Sequence, residues 1–354
     1  MERRKFLAGL AVAAVLSSAC GPGGVGTASP EPQRTAVSTP VPTPTPTLTP
    51  VTLKIGYLSA PGIDGQLQVA IAQGFFAKQG ITVEPLRFDA GPVMAQSLIG
   101  GSLDIAIIGG ALPVFACQGG LTPVLLNGIE KFGSEIHVRP GINTVKDLKG
   151  KKLATARGTT SHMLVLIALE AEGLTERDIE FVNTDIRSAT TSFIAGQVDA
   201  VAAGPDSRVL IGQQRPEAKR LVSTGDYHPK GTTMGAWTVT PDYAQKNKGV
   251  LQRVALAWLD ANKVLAADPT ADALYKQAYT RLSRADFDTL LKLVIFPPND
   301  TWKTYLDDGT AEKIQNLLVD GFKKVGAIPT CPDASQWLGT WKTTFRDAFA
   351  VWKP

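Results

Sequence analysis

From Val51 onward the hydrophobic positions alternate between two periods, which predicts strands interleaved with helices. Leu53–Leu58 (LKIGYL) reads as a buried strand, followed by a turn through Ser59, Ala60, Pro61 and Gly62. Leu67, Ala70, Ile71, Phe75 and Phe76 then fall on one helical face, in a helix that ends before Gly80. Ile81–Phe88 is a second strand, Val93–Ile99 a short helix and Leu103–Ile108 a third, mostly apolar strand. Lys151–Ala156 and Ile179–Asn183 are further strands around a helix, Ser161–Glu172, that stops at Gly173. Asp199–Ala203 is another short buried strand. Beyond about Pro241 the pattern turns helical, over Tyr243–Ala267 and again over Ala311–Val325. Strands alternating with helices predict an α/β fold of parallel sheets covered on both faces.

The first fifty residues follow other rules. Arg3, Arg4 and Lys5 precede an apolar run, Phe6–Ala19, too short to span a bilayer as a mature helix. Ser17, Ser18 and Ala19 then lead to Cys20, which predicts a signal peptide over 1–20 with Cys20 as a lipid-accepting first residue. Ser17 departs from the apolar residue usual three places before such a cysteine, so plain cleavage near Ala19 is the alternative. Arg3-Arg4-Lys5-Phe6-Leu7 also resembles a twin-arginine export motif. Residues 21–50 hold eight Pro and seven Thr with almost no large apolar side chain, which predicts a disordered, extended spacer. A spacer behind a lipid would let a tethered domain stand off the membrane.

Composition narrows the function by exclusion. The chain of 354 residues has a net charge of +4, but residues 51–354 carry 32 basic against 30 acidic side chains. No basic stripe interleaved with aromatics appears, which argues against a nucleic-acid partner. Three His and three Cys leave little for metal or thiol chemistry; no two His share ligand spacing, so neither metal nor cofactor is predicted. Cys117 and Cys331 are expected as separate thiols, although an oxidising envelope would permit a bond between them.

A set of short motifs then occurs in a telling order. Ile55-Gly56-Tyr57, Gly74-Phe75-Phe76-Ala77-Lys78-Gln79-Gly80-Ile81-Thr82-Val83 and Gly101-Ser102-Leu103-Asp104-Ile105-Ala106 come first. Asp147–Leu153, Gly158-Thr159-Thr160-Ser161-His162 and Gly196-Gln197-Val198-Asp199-Ala200 follow. In this order they resemble the binding proteins for nitrate, taurine, aliphatic sulfonates and the thiamine pyrimidine, over about Leu53–Asp268. The resemblance implies a two-lobed periplasmic-binding-protein fold of type II, with residues 51–136 plus 231–354 in lobe 1, 137–230 in lobe 2, and ligand in the cleft between them. It implies hinge closure on a small polar molecule, an ABC permease and its ATPase as partners, a monomer, and a place in the cell envelope or periplasm.

The loops that leave strand carboxyl ends for helix N-termini locate the expected cleft, because unpaired N–H groups and the helix dipole favour an anion there. These are Ser59 and Ala60, Gly109 and Gly110 (with Pro113 suited to the following first turn), and Thr159, Thr160, Ser161 and His162. Thr160 or Ser161 would serve equally as a helix N-cap. Gly109 and Gly110 stand where many relatives carry a hydroxyl, which makes room for close backbone approach or a bulkier ligand. Asp206 either caps a helix or receives an ammonium, amidine or ring N–H. Trp237 either belongs to the core or stacks on a planar ligand. His137 and His228 read as surface or hinge residues. Two rivals remain: the pyrimidine-synthesising enzymes of similar fold, which need a cysteine-rich motif absent here, and a ligand sensor that docks on a membrane receptor.

Overall fold

The computed structural model describes residues 48–130, 133–227, 231–324 and 326–353, and the side chains of these except Pro205 and Asp206. The expected signal peptide, Cys20, nearly all of the spacer, His228 and the Asp206 side chain lie outside the described residues. Residues 48–354 form one unit.

The chain enters through β1 (Val51–Leu58), α1 (Pro61–Ala72), α2 (Phe75–Lys78), β2 (Ile81–Phe88), α3 (Gly91–Ile99), β3 (Ile105–Ile108), α4 (Leu112–Ala116) and β4 (Thr122–Glu130). It continues with β5 (Glu135–Val138), β6 (Lys152–Thr155), α5 (Thr160–Ala171), β7 (Glu180–Asn183), α6 (Ile186–Ala195), β8 (Ala200–Ala203), α7 (Pro205–Gln214) and β9 (Lys219–Ser223). It returns through β10 (Thr233–Val239) and, within a largely helical remainder, β11 (Val294–Ile295).

These strands form two sheets, one of order β11-β4-β10-β3-β1-β2 and one of order β7-β6-β8-β5-β9. The chain passes from the first to the second between Glu130 and Glu135 and returns between Tyr227 and Thr233. The expectation of purely parallel sheets needs correction. β1 pairs in parallel with β2 and β3, but β10 runs antiparallel between β3 and β4. In the second sheet β5 runs antiparallel to β8 and β9. The short edge strand β11 is also antiparallel to β4, whereas β10 and β5 each follow a crossing, where no α-helix turns the chain round before it pairs.

Helix ends follow local chemistry. The single helix expected up to Gly80 is broken at Gly74, whose φ of 67° lies in the left-handed region, so α2 restarts the chain at a new angle. The helix expected over Tyr243–Ala267 is likewise two, Pro241–Lys246 and Lys248–Ala267.

One large apolar core surrounds the first sheet and reaches into the C-terminal helices, where Trp258 meets Trp302 and Phe345 edge-on. The second sheet has a separate cluster on each face, one around Leu153, Leu164 and Leu169, the other around Ala189 and Phe193. Two short crossings join the two sheets, and Met163 and Ile167 of α5 also reach into the first core.

Cys117, just past α4, and Cys331 are joined by a disulfide, with Cα atoms 4.9 Å apart. This overturns the expectation of separate thiols: 214 residues separate them in sequence, and only the packing of the helix Thr310–Lys324 on α4 brings them together.

Candidate functional site

The two sheets present strand carboxyl ends and helix N-termini to a cleft of about 320 Å3 between them. Five helices contribute their first turns: α1 and α3 from the first lobe, α5, α6 and α7 from the second. Three of these, α1, α3 and α7, begin at Ala60, Ala90 and Gly204, with no side chain capping the first turn. Their positive ends open on the cleft, that of α1 offset in part by the buried Asp64 in its first turn.

Seven of the ten ligand-contact candidates line this cleft: Ser59, Ala60, Gly109, Gly110, Thr159, Thr160 and Ser161. The α5 cap is one residue earlier than expected, at Thr159, whose hydroxyl accepts the His162 N–H at 3.2 Å. Ser161 is thereby left to meet the Ser134 hydroxyl at 3.1 Å, and Ser134 also donates to Thr160 at 3.3 Å. The latter pair spans from the crossing to the rim of the second lobe.

Gly110 shows why that loop is bare. A Cβ there would stand 2.5 Å from Thr233 Cβ and 2.8 Å from Thr160 Cγ2 of the opposite lobe. Pro113 falls in the first turn of α4.

Two candidates sit elsewhere. His162 turns away from the cleft: its Nδ1 accepts from the Gly158 N–H at 3.3 Å and its Nε2 donates to Glu176 at 3.0 Å. With one ring nitrogen accepting and the other donating, the imidazole is neutral, and burial accordingly pulls its pKa below the ordinary value despite Glu176. Burial pushes the Glu176 carboxyl up, but hydrogen bonds from Arg157 and His162 outweigh it and hold the pKa below the usual range. Trp237 is fully buried in the middle of β10, its ring 6.3 Å from Phe76, and does not line the cleft. Asp206 occupies the first turn of α7, whose Gly204, Ser207 and Leu210 do line it. His137 is buried in β5, 3.0 Å from Glu135, and is not a surface residue.

Four charged residues at the cleft escaped the sequence: Arg87, Asp89, Glu130 and Arg187. Asp89 accepts from Arg187 across the cleft at 2.6 Å, with Arg87 at 3.8 Å. Glu130 ends β4, is nine-tenths buried, and accepts from the Thr233 hydroxyl at 3.3 Å. Leu58, Ile63, Phe88 and Ile108 make the walls between them largely apolar. Among the described residues no three His, Cys, Asp or Glu side chains gather as a metal site.

Such a cleft can hold and enclose a small molecule with at least one polar end. Comparison with known proteins agrees. The taurine-binding periplasmic protein of Escherichia coli is 27% identical over 221 residues, covering 61% of this chain and 68% of that protein. The crystal structure of the periplasmic aliphatic sulphonate binding protein SsuA from Escherichia coli superposes with a TM-score of 0.61 at 25% identity, covering 83% of this chain and 99% of that one. A desulfurization enzyme, DSZB, shares the fold at 16% identity and a TM-score of 0.62, covering 84% and 99%. The NMT1/THI5-like family model matches residues 65–272. The chain belongs to the NMT1/THI5-like family.

Proposed function

We propose that this chain is the extracytoplasmic solute-binding component of an ABC importer, capturing a small organic anion or zwitterion by closing its two lobes. The observation that carries this function is the convergence of three helix N-termini without a side-chain cap, α1, α3 and α7, on one cleft between the two sheets. Fixed backbone dipoles of this kind receive an anionic group without a counter-charged side chain. Binding needs only a higher affinity in the closed form, and no catalytic residue. The similarity to taurine- and sulphonate-binding proteins supports the same ligand class. DSZB shows that the fold also hosts catalysis. The described cleft lining nevertheless contains neither a cysteine nor a histidine, and four of its hydroxyls pair with one another, Ser134 with Ser161 and Thr190 with Ser207.

Ligand contact is assigned to Ser59, Ala60, Gly109, Gly110, Thr159, Thr160 and Ser161. Asp206 is kept as a candidate, from its place at the head of α7. The N-terminal sequence supports export, with Cys20 as a membrane anchor and the Pro/Thr-rich residues 21–50 as its spacer. Titration calorimetry against nitrate, taurine and C2–C6 alkanesulfonates tests the function: one of the organic sulfonates binds at one site per chain with Kd of micromolar order or tighter. Turnover of a bound sulfonate, or binding of nitrate alone, would refute it.

A further inference from the structure

Taking this solute-binding function as given, we propose that Tyr279 is a positioning residue for ligand binding. Through Asp64 its hydroxyl ties the first turn of α1, whose N-terminus opens on the cleft, to residues 270–291, a segment far off in sequence. Three observations lead there.

First, the two side chains meet in the protein interior. Tyr279 Oη donates to Asp64 Oδ1 at 2.8 Å, with Asp64 fully buried and Tyr279 4% exposed. Gln68, one turn further along α1, donates to the other carboxylate oxygen at 3.4 Å. Asp64 follows Ile63 directly, and Ala60 and Ile63 line the cleft. The carboxylate is thus one residue from the cleft wall, and a hydrogen bond to a charged acceptor is among the stronger ones a side chain can make.

Second, the segment that carries Tyr279 has an unusual backbone. Among the described residues Ala271 is the one non-glycine with a positive φ, 45°, and it is 2% exposed. An L-residue holds that conformation where its surroundings impose it, and such places cluster at functional sites. Tyr275–Tyr279 then form a π-helical turn, a rare form with the same tendency. Arg284 clamps the segment. It donates to the Thr270 carbonyl at its start and to Asp288 at 2.7 Å in the helix Arg284–Leu291. The same guanidinium lies over the Tyr275 and Phe287 rings, and both tyrosines pack on Phe287, with centroids 5.3 and 5.2 Å away. A backbone held this firmly delivers the Tyr279 hydroxyl to a fixed place.

Third, the segment reaches both walls of the cleft. α1 packs along it, and the helix Arg284–Leu291 meets α7 of the second lobe, where Gln213 donates to Asp286 at 3.4 Å. α1 and α7 are two of the three helices that open on the cleft without a side-chain cap. Holding the first turn of α1 in place before a ligand arrives removes an ordering cost from binding.

The test is calorimetry with taurine and hexanesulfonate on the purified protein and two matched variants. Tyr279→Phe and Tyr275→Phe each remove one hydroxyl from the same π-helical turn and keep the ring. The Tyr275 hydroxyl donates to the Leu282 carbonyl at 3.0 Å, inside the segment, and so serves as the control. Tyr279→Phe should weaken binding of the sulfonate that the wild type takes by ~5-fold or more, part of the worth of one hydrogen bond to a charged group, and Tyr275→Phe by about 2-fold at most. Hydrogen exchange in the ligand-free proteins gives a second readout: the amides of residues 62–66 should exchange at least ~5-fold faster in Tyr279→Phe than in the other two. Equal affinity in all three proteins, or an equal loss in both variants, would overturn the positioning role and leave the solute-binding function standing. Binding of no sulfonate by the wild type would overturn that function instead, and unchanged exchange at residues 62–66 would still overturn the hold of Tyr279 on α1.

Discussion

His162 Nε2 lies 3.0 Å from Glu176 Oε2, and through that bond the buried face of α5 holds the loop that lines the cleft. Glu176 is gripped in turn by both terminal nitrogens of Arg157, whose guanidinium lies 4.4 Å over the Phe181 ring. The other ring nitrogen of His162 accepts from Gly158, one residue before Thr159. The imidazole thus fixes the backbone from which Thr159–Ser161 project.

Protonation should break this arrangement, because Nδ1 loses its lone pair. The folded-state pKa of His162 is lowered, so the unfolded chain binds the proton first. Stability from this group is therefore complete above the unfolded value of about 6.5 and falls as pH drops below it. The pKa of Glu176 is lowered too, so its contribution holds above the usual carboxylate range and is lost below it. Thermal melting from pH 7.5 to 5 should show a declining Tm, and the decline should be shallower in His162→Gln. An identical slope in the variant would show that another group governs it.

Asp89 and Arg187 sit on opposite lobes, both more than half exposed. Such a pair contributes at most ~1 kcal/mol in water. Asp89→Ala should therefore speed ligand release by no more than about 5-fold with little change in Tm, and the difference from wild type should shrink in 0.5 M salt. Stopped-flow release kinetics at two ionic strengths measure it.

Gly110→Ala should act on closure as well as on folding. The added methyl meets Thr160 Cγ2 of the other lobe as well as Thr233. Affinity should drop at least ~10-fold, consistent with about 1–3 kcal/mol for overpacking a tight contact. A Thr160→Ser exchange, which removes the Cγ2 methyl, should recover part of it.

The Cys117–Cys331 bond ties α4, which follows the Gly109–Gly110 loop, to the chain beyond Thr310–Lys324. Replacing both cysteines by serine should cost about 2–4 kcal/mol in denaturant unfolding. Mass analysis of the native protein after thiol alkylation should find neither cysteine modified.

Much of the architecture was legible because βα units leave a two-period signature. Ile81–Phe88 has the same ends in sequence and structure, and the Ser59–Ala60, Gly109–Gly110 and Thr159–Ser161 loops were located by asking where strands hand over to helices. β10 was not legible, since all seven of its residues are buried and it shows no alternation; hence Trp237 could be read as a ligand wall when it is core. His162 was placed in the cleft by adjacency to Thr159–Ser161, but Glu176, which draws it away, lies in a single 3-10 turn without periodic signal. Arg187 and Asp89 are 98 residues apart, and nothing local announces their pairing. Glu130 left only a weak trace, because Asn127 already interrupts the apolar run Val124–Leu126 before it.

The most direct measurement of the central claim is native mass spectrometry of the protein purified gently from its own envelope. One small organic molecule bearing an anionic group should be retained per chain, released intact on mild activation, and identified by its exact mass. A retained molecule without an anionic group, or one released in chemically altered form after addition of the intact compound, would contradict the account.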